Sequence, residues 1–277
     1  MKEIVQRFCR KRMSVVAGVM LILIIAACAF APLYVHVDPL KQNLFNTYAR
    51  PSAEHLLGTD NLGRDILVRL LYGGRSSLAI SFSGVLSGTA VGVILGVIAG
   101  YFGGIADTLI SRLIDVLLAF PGLLLAIVVV AILGSGESNT VVAIAIFSIP
   151  TVARMVRGEV LKIRSADYIA VCKVMGESSA RVIVRHVIPN AISQIIVNVT
   201  LQLGTAILTT SALSFLGLGV QPPAPEWGAM LSSARDVLRS YPLPAVVPGI
   251  AITLVVVCFS LVGDGLRDAL DPRLKNA

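Results

Sequence analysis

The chain has 277 residues, 56% of them hydrophobic and only 14% charged, with a formal net charge of +7. No water-soluble core uses that much apolar sequence, which excludes an ordinary soluble enzyme. With no soluble basic domain, the positive balance points to topology and anionic lipid rather than to nucleic acid. The expected class is therefore an all-α polytopic membrane protein.

A bilayer-spanning helix needs roughly 20 mostly apolar residues. Six windows approach that length: 15–33, 78–102, 113–133, 141–156, 187–208 and 246–262. Lys2, Arg7, Arg10, Lys11 and Arg12 precede the first, which resembles a signal peptide in its charge. Its apolar run is longer than a typical signal core, and the small residues at Ala29-Phe30-Ala31 abut Pro32, so an uncleaved anchor is expected. The 34–76 segment that follows contains Gly58-Thr59-Asp60 and Gly63-Arg64-Asp65, which read as tight turns or helix starts.

In the second window Gly84, Gly88, Gly92, Gly96, Gly100 and Gly104 recur at every fourth position. Such a ridge without side chains lets another helix approach closely, whether in the same subunit, in a second subunit or in a moving gate. Pro121 and Pro150 fall inside the third and fourth windows, where each removes a backbone donor and can kink its helix. The fifth window carries Asn190, Gln194, Asn198 and Gln202 at every fourth residue, continued by Thr205 and Thr209. Amides facing lipid are unsatisfied, so this stripe faces either neighbouring helices or a hydrated translocation path.

Lysines and arginines flanking short loops stay on the cytoplasmic side. With the N-terminus inside, the inner segments collect the five basic residues above together with Arg112, Arg154, Arg157, Lys162, Arg164, Lys173, Arg181, Arg185, Arg267, Arg273 and Lys275. Both termini are then cytoplasmic. Cys9 and Cys172 lie on that side, while Cys28 and Cys258 lie within spans, so no disulfide is expected. His36, His55 and His186 are scattered and show no metal-ligand spacing. No Gly-x-x-x-x-Gly-Lys-Ser/Thr phosphate loop is present, and the middles of the spans lack the carboxylates and histidines of an ion-coupled carrier. Catalysis and nucleotide hydrolysis by this chain are not expected.

Between the fourth and fifth windows runs a polar interruption, 162–186. Ser165 and Asp167 suit the start of a short helix, Gly176 with Ser178-Ser179 suits its end, and Pro189 suits the first turn of the next span. A helix so short is held only by packing, on its own spans or in a partner's groove. In the 222–241 segment, Trp227 suits a membrane interface.

These residues resemble the inner-membrane permease subunits of ATP-binding-cassette (ABC) importers, whose cytoplasmic signature runs Glu-Ala-Ala, three residues, Gly, nine residues, Ile-x-Leu-Pro. The chain matches with Ala170-Val171-Cys172, Gly176 and His186-Val187-Ile188-Pro189, departing from the pattern at Ala170, Val171, Cys172 and His186. Three further stretches are similar to the dipeptide, oligopeptide and nickel branch. They are Leu57-Gly58-Thr59-Asp60-Asn61-Leu62-Gly63-Arg64-Asp65 with Leu71-Tyr72-Gly73-Gly74-Arg75-Ser76-Ser77-Leu78, then Ser214-Phe215-Leu216-Gly217-Leu218-Gly219-Val220-Gln221-Pro222-Pro223-Ala224-Pro225-Glu226-Trp227-Gly228, and Gly263-Asp264-Gly265-Leu266-Arg267-Asp268-Ala269-Leu270-Asp271-Pro272.

The resemblance implies a type I importer permease fold in a bacterial inner membrane. Its implied partners are a second homologous permease, two cytoplasmic ATPases that use ATP and Mg, and a periplasmic or lipid-anchored substrate-binding protein; no cofactor is implied in this chain. It implies three regions: 1–74, the tail, anchor and outer loop; 75–266, a five-helix core; and 267–277, a cytoplasmic tail. Residues 165–180 become a coupling helix, with Asp167, Tyr168, Ala170, Val171, Cys172, Gly176 and Arg181 at the ATPase contact. Asp60, Arg64, Asp65 and Glu226 are candidates for binding-protein docking, or else for local hydrogen bonding that folds the outer loops. Peptides, glutathione-like conjugates and nickel chelates are all compatible substrates. A self-sufficient channel or secondary carrier, and a structural assembly scaffold, are the competing classes.

Overall fold

The computed structural model describes residues 7–9 and 11–270. Lys2, Arg10, Arg273 and Lys275, assigned above to the inner side, lie outside them. Long helices dominate: α1 (Arg12–Ala29), α2 (Ile66–Phe102), α3 (Gly104–Ala119), α4 (Gly122–Leu133), α5 (Glu137–Arg164), α6 (Asp167–Val174), α7 (Ile188–Phe215), α8 (Trp227–Ala234) and α9 (Leu243–Leu270). Five spans are long and apolar enough to cross a membrane, and a sixth arises if the bent pair α3 and α4 is one span.

The helices outrun their apolar windows. The second begins twelve residues earlier than its window, because Asp65 caps it by accepting a hydrogen bond from the Val68 amide at 3.0 Å. At 37 residues it is about 55 Å long, well beyond a hydrocarbon core of about 30 Å. Backbone hydrogen bonding does not stop where apolar side chains do, so polar ends stay helical outside the bilayer.

The third window is not one straight helix. Phe120 adopts an extended backbone (ψ 137°), the conformation that a following proline enforces, and α3 meets α4 at 95°. Two ion pairs hold α3 to α5: Arg157 Nη2 donates to Asp107 Oδ2 at 2.7 Å, and Arg154 Nη2 donates to Asp115 Oδ1 at 2.5 Å. Pro150, by contrast, lies buried within an unbroken α5.

The fifth span also starts earlier than its window. A helical turn, Ser179–Val182, and a π-helical turn, Ile183–Val187, lead directly into α7, giving a continuous span Ser179–Phe215. Pro189 cannot donate to the Arg185 carbonyl and its ring would crowd that oxygen; the wider π turn just before it relieves both problems.

α2 and α5 form the most extensive helix pairing. A Cβ on Gly84, Gly88, Gly92, Gly96 or Gly100 would lie 2.5–2.8 Å from atoms of α5, meeting Ile144, Ala145 and Ser148, Val152, Ala153 and Val156, and Val160 in turn. Glycine n thus faces residue n+60, a constant offset that only parallel helices give. Of the three packing readings, the contact within the subunit is the one observed. Gly104 leaves the ridge: it lies past the end of α2, and a Cβ there would have nothing within 4 Å.

The main core joins Ala17, Leu21 and Cys28 of α1 to Ile66, Leu78 and Val85, Ile144, Ile207, Trp227 and Phe259. A second core near α6 gathers Val97, Tyr101, Val156, Val160, Ile169, Val182 and Val187. α1 therefore shares the main core instead of standing apart, and the boundaries expected at 74/75 and 266/267 both fall inside helices, α2 and α9. Apolar side chains such as Val16, Ile22, Ile94, Ile132 and Val257 stay exposed on the outer faces, as a chain solvated by lipid requires.

Candidate functional site

The two ends of the bundle differ in kind. At the end carrying α8, the outer segments are knitted together by their own charges. Asp60 accepts from the Leu62 and Arg64 amides at 2.9 and 3.0 Å and pairs with Arg64 Nε at 2.7 Å and Arg69 Nε at 3.4 Å. Gly63, at φ +68°, turns this loop so tightly that a Cβ would lie 1.8 Å from the Asn43 carbonyl oxygen. His55 Nδ1 lies 2.9 Å from Asp65 Oδ2. Tyr48 stacks on Tyr241 with ring centroids 4.2 Å apart, and burial, together with Asp60 and Tyr241, raises the Tyr48 phenol above its ordinary pKa.

Glu226 is completely buried. It caps α8, its Oε2 accepting from the Ala229 amide at 2.9 Å, while its Oε1 accepts from Ser77 Oγ of α2 at 2.6 Å. Trp227 is 1% exposed and donates its indole N–H to the Leu70 carbonyl at 2.9 Å. Gly73 and Gly74 make this possible: a Cβ on Gly74 would sit 2.6 Å from the Trp227 ring.

These positions favour one of the two readings of the charged residues and correct one expectation. Asp60, Arg64 and Glu226 are buried and Asp65 is half-buried with its carboxylate engaged, so they fold the loops and do not form an exposed docking face. Trp227 is a core residue and not an interfacial anchor, because two glycines of α2 open a socket for it.

At the opposite end, α5 ends at Arg164 and two residues later α6 begins. Gly176, at φ +79°, closes α6 in a Schellman arrangement with the Glu177 amide donating to the Cys172 carbonyl at 3.0 Å. Ile169 is the inward anchor, fully buried among Val97, Val156, Val160, Val182 and Val187. Of the residues expected at the ATPase contact, Asp167, Tyr168, Ala170, Val171, Gly176 and Arg181 are exposed, while Cys172 is half-buried and packs against the same core as Ile169. Val174 and Met175, which sequence reasoning passed over, are 88% and 79% exposed and complete an apolar tip. Their signal was available as apolar residues within a polar interruption. The same holds for Ile169, whose side cannot be told without the fold.

The polar stripe of α7 begins beside this tip. Asn190 Nδ2 donates to the His186 carbonyl at 2.6 Å and reaches Tyr168 Oη of α6 at 3.4 Å. Asn190, Gln194 and Thr205 are exposed, Asn198 is half-buried, and Gln202 and Thr209 are buried. Gln202 Nε2 donates to Asn198 Oδ1 at 2.6 Å and Thr209 Oγ1 to the Thr205 carbonyl at 2.9 Å, while Gln202 Oε1 is buried without a partner. The stripe's bonds therefore run along its own helix, apart from the contact to Tyr168.

Residues 92–276 match the family described as binding-protein-dependent transport system inner membrane component, and residues 1–51 match the N-terminal TM domain of oligopeptide transport permease C. The chain belongs to the binding-protein-dependent transport permeases. The permease is 48% identical to a glutathione transport system permease protein, GsiD, of Pectobacterium atrosepticum, an alignment covering 99% of this chain and 92% of the relative. It is 44% identical to a dipeptide transport system permease protein, DppC, of Alkalihalophilus pseudofirmus, covering 99% and 90%. Its fold is similar to that of the MetNI methionine ABC transporter in an inward-facing conformation, with a TM-score of 0.60 at 19% identity over 74% of this chain and 97% of that one. An amino acid ABC transporter gives a TM-score of 0.56 at 18% identity, over 73% and 94%.

The permease is thus an all-α, multi-pass membrane subunit of an ABC importer with the type I permease fold. It is the non-catalytic component, and membership implies an ATPase and a substrate-binding protein as partners. The stretches that carried the resemblance are largely packing devices. Gly73 and Gly74 receive Glu226 and Trp227, Gly228 lies against the Ser211 backbone, and Gly263 and Gly265 let α9 approach Leu201 of α7 and Ser14 of α1.

Proposed function

We propose that this permease forms one half of the translocation path of a peptide-type importer and that α6 is the element through which a cytoplasmic ATPase drives it. The observation that carries this reading is the division of α6 into an anchored and a free side. Ile169 ties it to the spans, while Val171, Val174 and Met175 present an apolar tip that is left exposed among the described residues. An apolar tip on a short polar-flanked helix fits a groove in a partner.

The Tyr168–Asn190 contact links that tip to the first residue of the polar stripe, so a displacement of α6 reaches the α7 face that bears Gln194 and Asn198. A stripe of neutral amides and hydroxyls handles a zwitterionic or polar solute without a fixed countercharge. Peptides, the class to which the glutathione and dipeptide of the relatives' names belong, meet that description.

The α6 end lies in the cytoplasm in this reading, as do both termini, since Arg164, Arg181 and Arg185 cluster there. A second homologous permease completes the path, two ATPases bind ATP and Mg, and a periplasmic or lipid-anchored protein delivers the solute to the α8 end in a bacterial inner membrane. Because the four charged candidates are turned inward, the backbone and exposed side chains of the outer loops form that landing surface.

ATPase activity of the complete importer in lipid, with and without loaded binding protein, tests the proposal. Wild type is stimulated, and Gly176→Trp, which destroys the left-handed turn closing α6, loses the stimulation with assembly intact. Undiminished stimulation removes the role of α6, and transport without any ATPase overturns the importer reading.

A further inference from the structure

Cys172, Glu177 and His186 are dispersed over fifteen residues and belong to three different local structures: the last turn of α6, the turn after Gly176, and the π-helical turn that leads into α7. The fold nevertheless brings them together. Cys172 Sγ, a Glu177 carboxylate oxygen and a His186 ring nitrogen all lie within 4.8 Å of one another. Sequence spacing suggests no metal site, because the three donors converge only through the Gly176 turn and the return of the chain along α7.

We infer that this cluster is a binding site for a divalent transition-metal ion of the zinc type. Thiolate sulfur, imidazole nitrogen and carboxylate oxygen are the three donors that Zn2+ takes, at bond lengths of about 2.0–2.3 Å, which places tetrahedral ligand atoms roughly 3.5 Å apart. Glu177 Oε2 and His186 Nε2 already stand 3.6 Å apart. The sulfur of the half-buried Cys172 completes the group within 4.8 Å.

A second observation points to a ligand. Glu177 Oε2 is buried and accepts no hydrogen bond; the His186 ring nitrogen, 3.6 Å away, offsets its charge only when the imidazole is protonated, and a metal ion between the two offsets it with a neutral imidazole. Two of the three donors, Cys172 and His186, also stand where this chain departs from the importer signature, which has Ala and Ile at those places.

Three protein ligands leave a fourth tetrahedral position for water or for a side chain of the partner that covers the α6 tip. On binding, the Cys172 thiol gives its proton to water and the sulfur binds as thiolate. The ion then ties the end of α6 directly to the π turn, fixing the angle between α6 and α7. Its presence biases whatever motion α6 transmits, and this regulatory consequence rests on the coupling reading, whereas the binding itself does not.

The test uses the intact importer in lipid, stripped of metal by chelator, and measures Zn2+ retained after reloading and desalting by mass spectrometry, and the thiolate-to-metal charge-transfer absorption after loading with Co2+ instead. Neither readout needs ATP, substrate or transport. The comparison is a Cys172→Ala/His186→Ile variant, which installs the residues of the signature, with intact assembly checked by gel filtration; Glu177→Gln serves as a second variant that changes neither helix.

Wild type is expected to retain one Zn2+ per permease chain more than either variant and to show a Co2+–thiolate band that both lose. Equal metal content in wild type and variants overturns the site. So does Zn2+ retained by wild type without a thiolate band, since Cys172 is then no ligand. Loss of ATPase stimulation on adding Zn2+ to wild type, absent in Glu177→Gln, supports the regulatory step; equal inhibition of both overturns that step and leaves the metal-content result to decide the binding.

Discussion

Ser77 Oγ donates a 2.6 Å hydrogen bond to Glu226 Oε1 across 149 residues of sequence, inside the protein. This bond, with the Ala229 amide on the other carboxylate oxygen, fastens α8 to α2 and closes the α8 end of the bundle.

Removing the carboxylate strands both donors. Glu226→Ala is expected to destabilise the permease by about 2–4 kcal/mol, the combined cost of unpaired buried donors and a lost helix cap. Glu226→Gln, which keeps an acceptor and the shape, is expected to cost less than half of that. Thermal unfolding followed by fluorescence of Trp227, the sole tryptophan and the immediate neighbour of the clasp, reads both. Equal losses for the two variants rule out hydrogen bonding as the origin of the effect.

The glycine ridge makes a sharper contrast. A Cβ at Gly92 falls 2.8 Å from Val152 Cβ, so Gly92→Ala forces α2 from α5 and is expected to cost about 1–3 kcal/mol. Gly158, also in a helix, has nothing within 4 Å of a Cβ, and Gly158→Ala is expected to stabilise by about 0.5–1 kcal/mol. The two melting temperatures move in opposite directions if the ridge is a close-packed seam.

On α6 the two sides separate stability from coupling. Ile169→Ala empties a fully buried site and is expected to cost about 2–5 kcal/mol. Val171→Asp sits on the exposed side, and its melting temperature is expected to stay within experimental error while ATPase stimulation by loaded binding protein falls at least tenfold. Stimulation that survives Val171→Asp places the partner contact elsewhere.

The polar stripe predicts a gradient of access. With single cysteines in an otherwise cysteine-free chain, Asn190→Cys and Gln194→Cys are expected to react readily with a membrane-impermeant thiol reagent applied from the α6 side. Gln202→Cys, at a buried position, is expected to react only during turnover. Protection of all three throughout turnover removes the stripe from the path.

Much of the architecture was legible in the sequence because periodicity and capping act locally. The apolar windows located the spans, Asp65 and Gly63 marked the entry to α2, and glycine at every fourth position marked a face that touches another helix. Window edges were read short, since helical hydrogen bonding continues through polar residues such as Arg69 and Lys162.

Partnership between distant segments was legible only in the fold. Spacing shows which side of a helix carries Gly92 but not that Val152 meets it, because the n+60 register depends on how two parallel spans are placed. Trp227 read as an interfacial residue and Glu226 as either a docking or a loop-folding group, and both are interior because Gly73 and Gly74 open a socket for them. Cys172 and His186 showed no metal-ligand spacing, yet with Glu177 they converge through one left-handed turn and one π turn. The sequence by itself determined the membrane class, the helices and the polar interruption, all set by interactions within a few residues. The tertiary structure decided which polar groups are interior and which side of α6 is free, because burial is a property of whatever segment arrives from far along the chain.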